Sequence, residues 1–361
     1  MTETIMPKDF HETNVLIRWS ILIGVVFFIV LAYFIWVVEF DIFRNPTIVT
    51  DNHLRYGLLV IALFLTVQII RVVNKGFAQY INRSYQSRFK HIKDFNTYVE
   101  SKEKTFFTEK KYDHVVLLLH GFSASPQEFQ FLLPHLKAHG INYYVPNLMG
   151  FGLDNTALLN NTRRQDWYRT CIGIYDALSQ ISNKVSVIGH SMGAVLASYI
   201  ASNRHIHQLI LTAPGFFPRQ SYRKYKFLLT TPILSSIYIT LIPYLPKPFQ
   251  EERGYLSDIL DSEVAKRSFH YLAIPVSSVR EVLLMQDETR LNKMSFDNLS
   301  VIYGQHEMTI DMQKMFRALD THKVTYQSYC LKNSAHNILE DFDREECCKL
   351  ITDLLLDNNP Q

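Results

Sequence analysis

Cysteine is scarce in this chain, and charge of neither sign prevails. The four cysteines, Cys171, Cys330, Cys347 and Cys348, have no framework spacing, which argues against a disulfide scaffold and fits a reducing compartment. No Cys/His cluster has the spacing of a zinc site, so a metal is not expected, and nothing calls for a cofactor. The formal net charge is +3, from 37 basic and 34 acidic residues. That excess is too mild and too evenly spread for a nucleic-acid partner.

What the chain does have is apolar sequence at its amino end. Trp19–Val38 is an uncharged run bounded by Arg18 and Glu39, close to the roughly 20 residues a helix needs to cross a bilayer. It is longer than a signal-peptide core and no small-residue cleavage site follows it, so it reads as a retained transmembrane helix. Tyr56–Val73 is a second run, with only Arg71 near its end, where a long cationic side chain reaches the interface. Two runs joined by a short polar loop predict a membrane hairpin within residues 1–75, with helices at about 16–38 and 56–73. Arg71, Lys75, Arg83, Arg88, Lys90 and Lys93 follow or close the second run, whereas the loop between the runs offers Arg44 and Arg55. That asymmetry predicts an integral membrane protein with both chain ends, and the rest of the chain, in the cytoplasm. The basic linker, 76–109, also suits anionic headgroups, which makes membrane lipids expected partners.

Beyond about Lys110, short β-branched runs alternate with longer helical stretches, the pattern of a parallel sheet covered on both faces. The runs are His114–Leu119, Asn142–Pro146, Lys184–Ile188, Gln208–Thr212, Leu299–Tyr303 and Thr325–Cys330. Gly189-His190-Ser191-Met192-Gly193 follows the third run and opens into the helix-prone stretch Ala194–Ala201. Such a strand–turn–helix strains the serine backbone and crowds neighbouring chain, so its flanks require residues without Cβ. It leaves the Ser191 hydroxyl at a helix N-terminus, where free N–H groups and the helix dipole favour an oxyanion.

The stretch from His114 to Ala201 resembles the monoacylglycerol lipase and carboxylesterase branch of the α/β-hydrolases. The resemblance rests on His120-Gly121, Pro146, Gly150-Phe151-Gly152, Asp166-Trp167 and the Gly-His-Ser-Met-Gly turn, all in that family's order. It implies an α/β-hydrolase fold with a helical cap, and backbone N–H groups of Phe122 and Met192 as the oxyanion hole. Two fixed donors aimed at developing charge contribute on the order of 3 kcal/mol each. His120 closes an apolar strand and reads as a structural hydrogen-bonding group.

A serine hydroxyl needs a base within reach and a carboxylate to orient that base. In this fold they follow in the order serine, acid, histidine. His336, in Asn333-Ser334-Ala335-His336-Asn337, matches the family's small-residue-then-histidine loop. For the acid the family usually has Gly-x-x-Asp, and here the same spacing reads Gly304-Gln305-His306-Glu307. Glu307 fits the role because the task is to hold a tautomer and stabilise its positive form. Asp311, four residues on, is the alternative.

The apolar segment Phe227–Leu245 carries prolines and polar residues that argue against a third span; it is expected to roof Ser191. The sequence therefore predicts an anchor (1–75), a basic linker (76–109) and an α/β-hydrolase domain (110–361) with a cap at about 215–298. The expected activity is serine hydrolysis of carboxylic esters through an acyl-enzyme, with a lipidic ester such as a monoacylglycerol or lysophospholipid as substrate; thioesterases, amidases and peptidases use the same triad and are the alternatives. A catalytically silent membrane scaffold is the reading from a different class.

Overall fold

The computed structural model describes Ile29, Tyr33 and residues 52–87, 103–108, 111–152, 156–219, 223–246, 259–265 and 267–356. Its centre is a seven-stranded sheet. The strands are β1 (Glu103–Phe106), β2 (Tyr112–Leu119), β3 (Asn142–Pro146), β4 (Ser182–His190) and β5 (His205–Thr212), then β8 (Ser295–Gly304) and β9 (Gln327–Leu331), ordered β1-β3-β2-β4-β5-β8-β9. β1 is antiparallel to β3, and every other pairing in this sheet is parallel. The strand order reverses between β2 and β4, which opens a crevice at their carboxyl ends, the usual ligand position in an open α/β sheet.

Burial on both faces explains the near-continuous apolar runs. Val115, Leu117 and Leu119 of β2 join Val187, Leu209, Leu211 and Val301 on one face; Val116 and Leu118 join Ile188, Ile210 and Ile302 on the other. Helices α3 (Arg164–Ile181) and α4 (Met192–Ala201) cover the first face through Trp167, Cys171, Leu178 and Val195. Helices α2 (Leu132–Ala138) and α9 (Arg344–Leu355) cover the second through Leu132, Leu136, Cys347 and Ile351. On the first face Met315 and Leu319 of α8 (Met312–Thr321) complete the layer.

The six expected strands all form, and most start earlier than their apolar stretches. β5 begins at His205 and β8 at Ser295 because the ladder extends past the core, pairing His205 with Ser295 and Ile206 with Phe296. β1 has no counterpart among the expected strands. Its Glu103-Lys104-Thr105-Phe106 sequence lacks an apolar run, as suits a short charged strand that blunts a sheet edge.

Between β5 and β8 lies the cap: α5 (Arg223–Thr230), α6 (Pro232–Leu241), an antiparallel ribbon of β6 (Tyr244–Pro246) and β7 (Ala273–Pro275), and α7 (Val276–Glu288). Ion pairs fasten α7 to the start of α3, where Arg164 reaches Glu281 at 2.8 Å and Glu288 at 2.6 Å.

The amino-terminal run at 16–38 lies outside the described residues apart from Ile29 and Tyr33. The second run belongs to a longer helix than its apolar stretch indicated: α1 spans Asn52–Ser87 and so continues through the first part of the segment read as linker. Among the described residues one helical stretch, Val60–Arg83, is long and apolar enough to cross a membrane, with mean hydropathy 1.6.

Leu118 is fully buried in the middle of the sheet. Leu118→Ala is expected to lower stability by about 2–5 kcal/mol, the transfer loss plus the cavity left behind. Denaturant unfolding of the purified protein measures it.

Candidate active site

Four tips of chain meet at the carboxyl edge of the sheet. The first is the turn after β4. Ser191 has φ +52° and ψ −111°, a region that non-glycine residues occupy only when surrounding structure enforces it. Its N–H donates to the Thr212 carbonyl at 3.0 Å, and its carbonyl accepts from Ala194 and Gly215, each at 3.1 Å. A Cβ on Gly193 would overlap the Leu119 carbonyl oxygen, and one on Gly189 would overlap the Gly193 carbonyl oxygen. The helix can start this close to β2 and β4 only because both residues are bare.

The other tips bring in the histidine and the carboxylate. His336 Nε2 lies 2.9 Å from Ser191 Oγ, and His336 Nδ1 lies 2.6 Å from Glu307 Oε2. The second Glu307 oxygen accepts the N–H groups of Thr309 at 2.6 Å and Ile310 at 3.1 Å. Burial alone would raise the Glu307 pKa, but the facing His336 imidazole and the two backbone amides outweigh it and hold the carboxyl below its ordinary value. With its folded pKa depressed, Glu307 contributes stability above the ordinary value of 4.5, which is lost as pH falls through the folded pKa.

The alternative acid is elsewhere. Asp311 caps α8, accepting the Lys314 N–H at 3.1 Å and pairing with Lys314 Nζ at 2.6 Å. Its carboxylate is committed to the helix start, and the contact to His336 goes to Glu307.

The fourth tip is the turn after β2. Phe122 and Met192 both line the cavity over Ser191. Neither residue's N–H donates to a backbone carbonyl among the described residues, so both remain available for an anionic oxygen. His120 is structural, as its place after an apolar strand suggested. Its Nδ1–H donates to the Gly121 carbonyl at 2.9 Å and its Nε2 accepts the Leu148 N–H at 3.1 Å, while burial lowers its pKa to about 4. The recurring features noted in the sequence meet here as well. Trp167 Nε1 donates to the Met149 carbonyl at 3.0 Å, and Phe151 packs against His120, Phe122 and Trp167.

Three buried carboxylates were not anticipated. Glu128 accepts the Gly121 N–H at 2.8 Å, steadying the turn that presents Phe122. Asp341 accepts the Ala335 N–H at 2.7 Å, and Asp343 accepts the Asn333 N–H at 2.6 Å. The last two clamp the His336 loop from both sides. No local pattern marks them, because each accepts a backbone amide defined only by the folded loop.

A cavity of about 290 Å³ opens from Ser191 beneath the cap. Its apolar wall comes from Val279, Val282 and Leu283 of α7, with Phe269, Ile274 and Tyr225. The expected roof, Phe227–Leu245, is a correction: none of its residues lines the cavity. Leu229 instead packs behind α7 on Val276 and Leu283, while Phe227, Ile233 and Ile237 face outward. Apolarity in that segment reflects packing behind the wall and an exposed face.

The profile of the alpha/beta hydrolase family matches residues 116–345. A carboxylesterase of Bacillus subtilis (strain 168) is 30% identical over 92 residues, which is 25% of this chain and 37% of that protein. The match thus spans little more than a third of the relative's length. Among solved structures, a metagenome-derived lipolytic enzyme superposes with a TM-score of 0.60 at 18% identity, covering 71% of this chain and 97% of that one. The monoacylglycerol lipase of Paleococcus ferrophilus gives 0.56 at 17%, covering 71% and 98%. A soluble variant of the monoglyceride lipase of Saccharomyces cerevisiae gives 0.55 at 13%, covering 72% and 92%. At such identities the likeness is one of fold.

The two carboxylates are separable by substitution. Glu307→Gln is expected to lower kcat for a simple ester by about 10³-fold or more, since an amide neither stabilises an imidazolium nor holds its tautomer. Asp311→Asn, which keeps a capping side chain, is expected to stay within about twofold. Steady-state kinetics on both variants checks the assignment.

Proposed function

Because the chain belongs to the alpha/beta hydrolase family, we propose that it is a membrane-anchored serine hydrolase of carboxylic esters, lipidic ones above all. The observation that carries this reading is the hydrogen-bonded line from Ser191 through His336 to Glu307, opening into a largely apolar cavity.

In this mechanism His336 Nε2 takes the Ser191 proton as the hydroxyl oxygen attacks the ester carbonyl. Glu307 holds Nδ1–H and stabilises the imidazolium that forms. The carbonyl oxygen gains negative charge and is received by the Phe122 and Met192 N–H groups, at the start of α4. His336 then returns the proton to the leaving alkoxide, leaving an acyl group on Ser191. Water, deprotonated by the same imidazole, releases the acid and restores the serine. No cofactor enters any of these steps.

The apolar wall supports an acyl chain as the buried part of the substrate. The anchor reading is supported by α1. Its stretch 56–73 is about 27 Å long at 1.5 Å per residue, close to the hydrocarbon thickness of a bilayer. Val60, Ile61, Leu63, Phe64 and Val72 are exposed on it, which suits contact with lipid. The basic residues after Arg71 support a cytoplasmic hydrolase domain.

Ser191→Ala is expected to abolish hydrolysis of p-nitrophenyl esters and labelling by a fluorophosphonate, with the protein still folded, because the change removes the nucleophile and almost no bulk. Residual activity within about tenfold of the unsubstituted protein would move the nucleophile elsewhere. For topology, a cysteine introduced at Asn52 should react with an impermeant maleimide added to intact cells, and one introduced beyond Lys110 should not. Labelling of the latter would reverse the orientation.

A further inference from the structure

The lower half of α1 carries buried side chains that an anchor in lipid does not need. Asn74, Ala78 and Asn82 are 3%, 4% and 2% exposed, and their four-residue spacing puts them on one stripe of the helix. Both asparagines meet the cap ribbon. Asn74 Nδ2 donates to the Tyr244 carbonyl at 3.3 Å, and its Oδ1 accepts the Tyr244 N–H at 2.9 Å. Asn82 Nδ2 donates to the Ala273 carbonyl at 2.8 Å, while its Oδ1 accepts from Leu272 at 2.8 Å and Ala273 at 3.0 Å. Ala78 packs between them on Tyr244 and Ala273.

An amide both donates and accepts without carrying charge, so each asparagine satisfies strand backbone as a neighbouring strand would. The ribbon needs that help. Two strands of three residues each are marginal as a free-standing unit.

The strand gripped by Asn82 leads into the cavity wall. Phe269 and His270 before it and Ile274 within it line the cavity. The upstream end is held by the hydrolase domain: Gln127 Nε2 donates to the Arg267 carbonyl at 2.9 Å, and its Oε1 accepts the Phe269 N–H at 2.6 Å. The wall from Arg267 to Pro275 is thus slung between Gln127 on one side and the amino-terminal helix on the other.

We propose that α1 is a working part of the acyl pocket: by gripping the cap ribbon through Asn74 and Asn82 it positions the Phe269–Ile274 wall and so sets which acyl chains the site accepts. This rests on the serine-hydrolase reading above. Asn74 and Asn82 are positioning residues, acting through the backbone they hold. The grip begins one residue beyond Val73, where the apolar run ends, so a single helix serves lipid along one half and the pocket along the other.

The test uses the full-length protein in detergent micelles and compares p-nitrophenyl acetate, too short to reach the wall, with p-nitrophenyl dodecanoate. Asn82→Ala is expected to lower the dodecanoate-to-acetate ratio of kcat/KM by about tenfold, mainly through KM for the long ester. Ala78→Leu keeps both asparagines but wedges the ribbon away from α1, and it should shift the same ratio by at least about threefold. It carries the test where Asn82→Ala does not fold. Val72→Ala, on an exposed position of the same helix, is the control and should leave the ratio unchanged. The proposal is overturned if folded variants keep the ratio within about twofold, or if both esters lose activity in parallel, as general destabilisation would produce. Failure of the underlying reading looks different: the unsubstituted protein would then hydrolyse neither ester, or Ser191→Ala would hydrolyse both.

Discussion

The site depends on how closely backbone can approach backbone around Ser191. The residue sits in a positive-φ conformation that is stable only because its neighbours on every side are held in place, and they come that close only where side chains are missing. Gly193 lies against the Leu119 carbonyl, and Gly189 lies against the first turn of α4. Gly304 does the same for the other half of the site, since a Cβ there would overlap the Ala335 carbonyl oxygen beside His336. Any side chain at these points would part the strand ends and separate Ser191 from His336.

Around that scaffold, buried carboxylates are used on backbone N–H groups. Glu128, Asp341 and Asp343 each accept an amide from a loop that carries a functional group, and Glu307 takes two amides with one oxygen while presenting the other to His336. Charge-assisted bonds of this kind are among the stronger ones in a protein interior. They matter here because loops lack a ladder of their own to fix them. The tolerance for a displaced reacting group is small, since a misplacement of about 1 Å can cost on the order of 100-fold in rate.

The cap answers a different requirement. It must close over an apolar cavity while remaining attached to a sheet that its own strands do not join. It does so with borrowed contacts: Arg164 pairs with Glu281 and Glu288 on α7, Gln127 holds the start of the wall, and α1 holds the ribbon. Its apolar face at Phe227, Ile233 and Ile237 points away from the cavity, which hydrophobicity by itself could not distinguish from a lining face.

Local sequence determined the parallel strands, the elbow and the order in which Ser191, Glu307 and His336 occur, because each follows from short-range rules: apolar runs for buried strands, bare residues at a crowded turn, and a loop after a strand. That Glu307 rather than Asp311 faces His336 was legible as a spacing, but the contact itself came from the fold, which turned one carboxylate to an imidazole and the other to a helix start. Only tertiary structure decided the partners of Glu128, Asp341 and Asp343, the identity of the cavity wall and the use of Asn74 and Asn82. Asn74 and Asn82 meet backbone groups far along the chain, as Asn82 does Ala273, whereas the three carboxylates meet amides six to ten residues away; in both cases a backbone amide has the same chemistry at every position until folding brings one of them near.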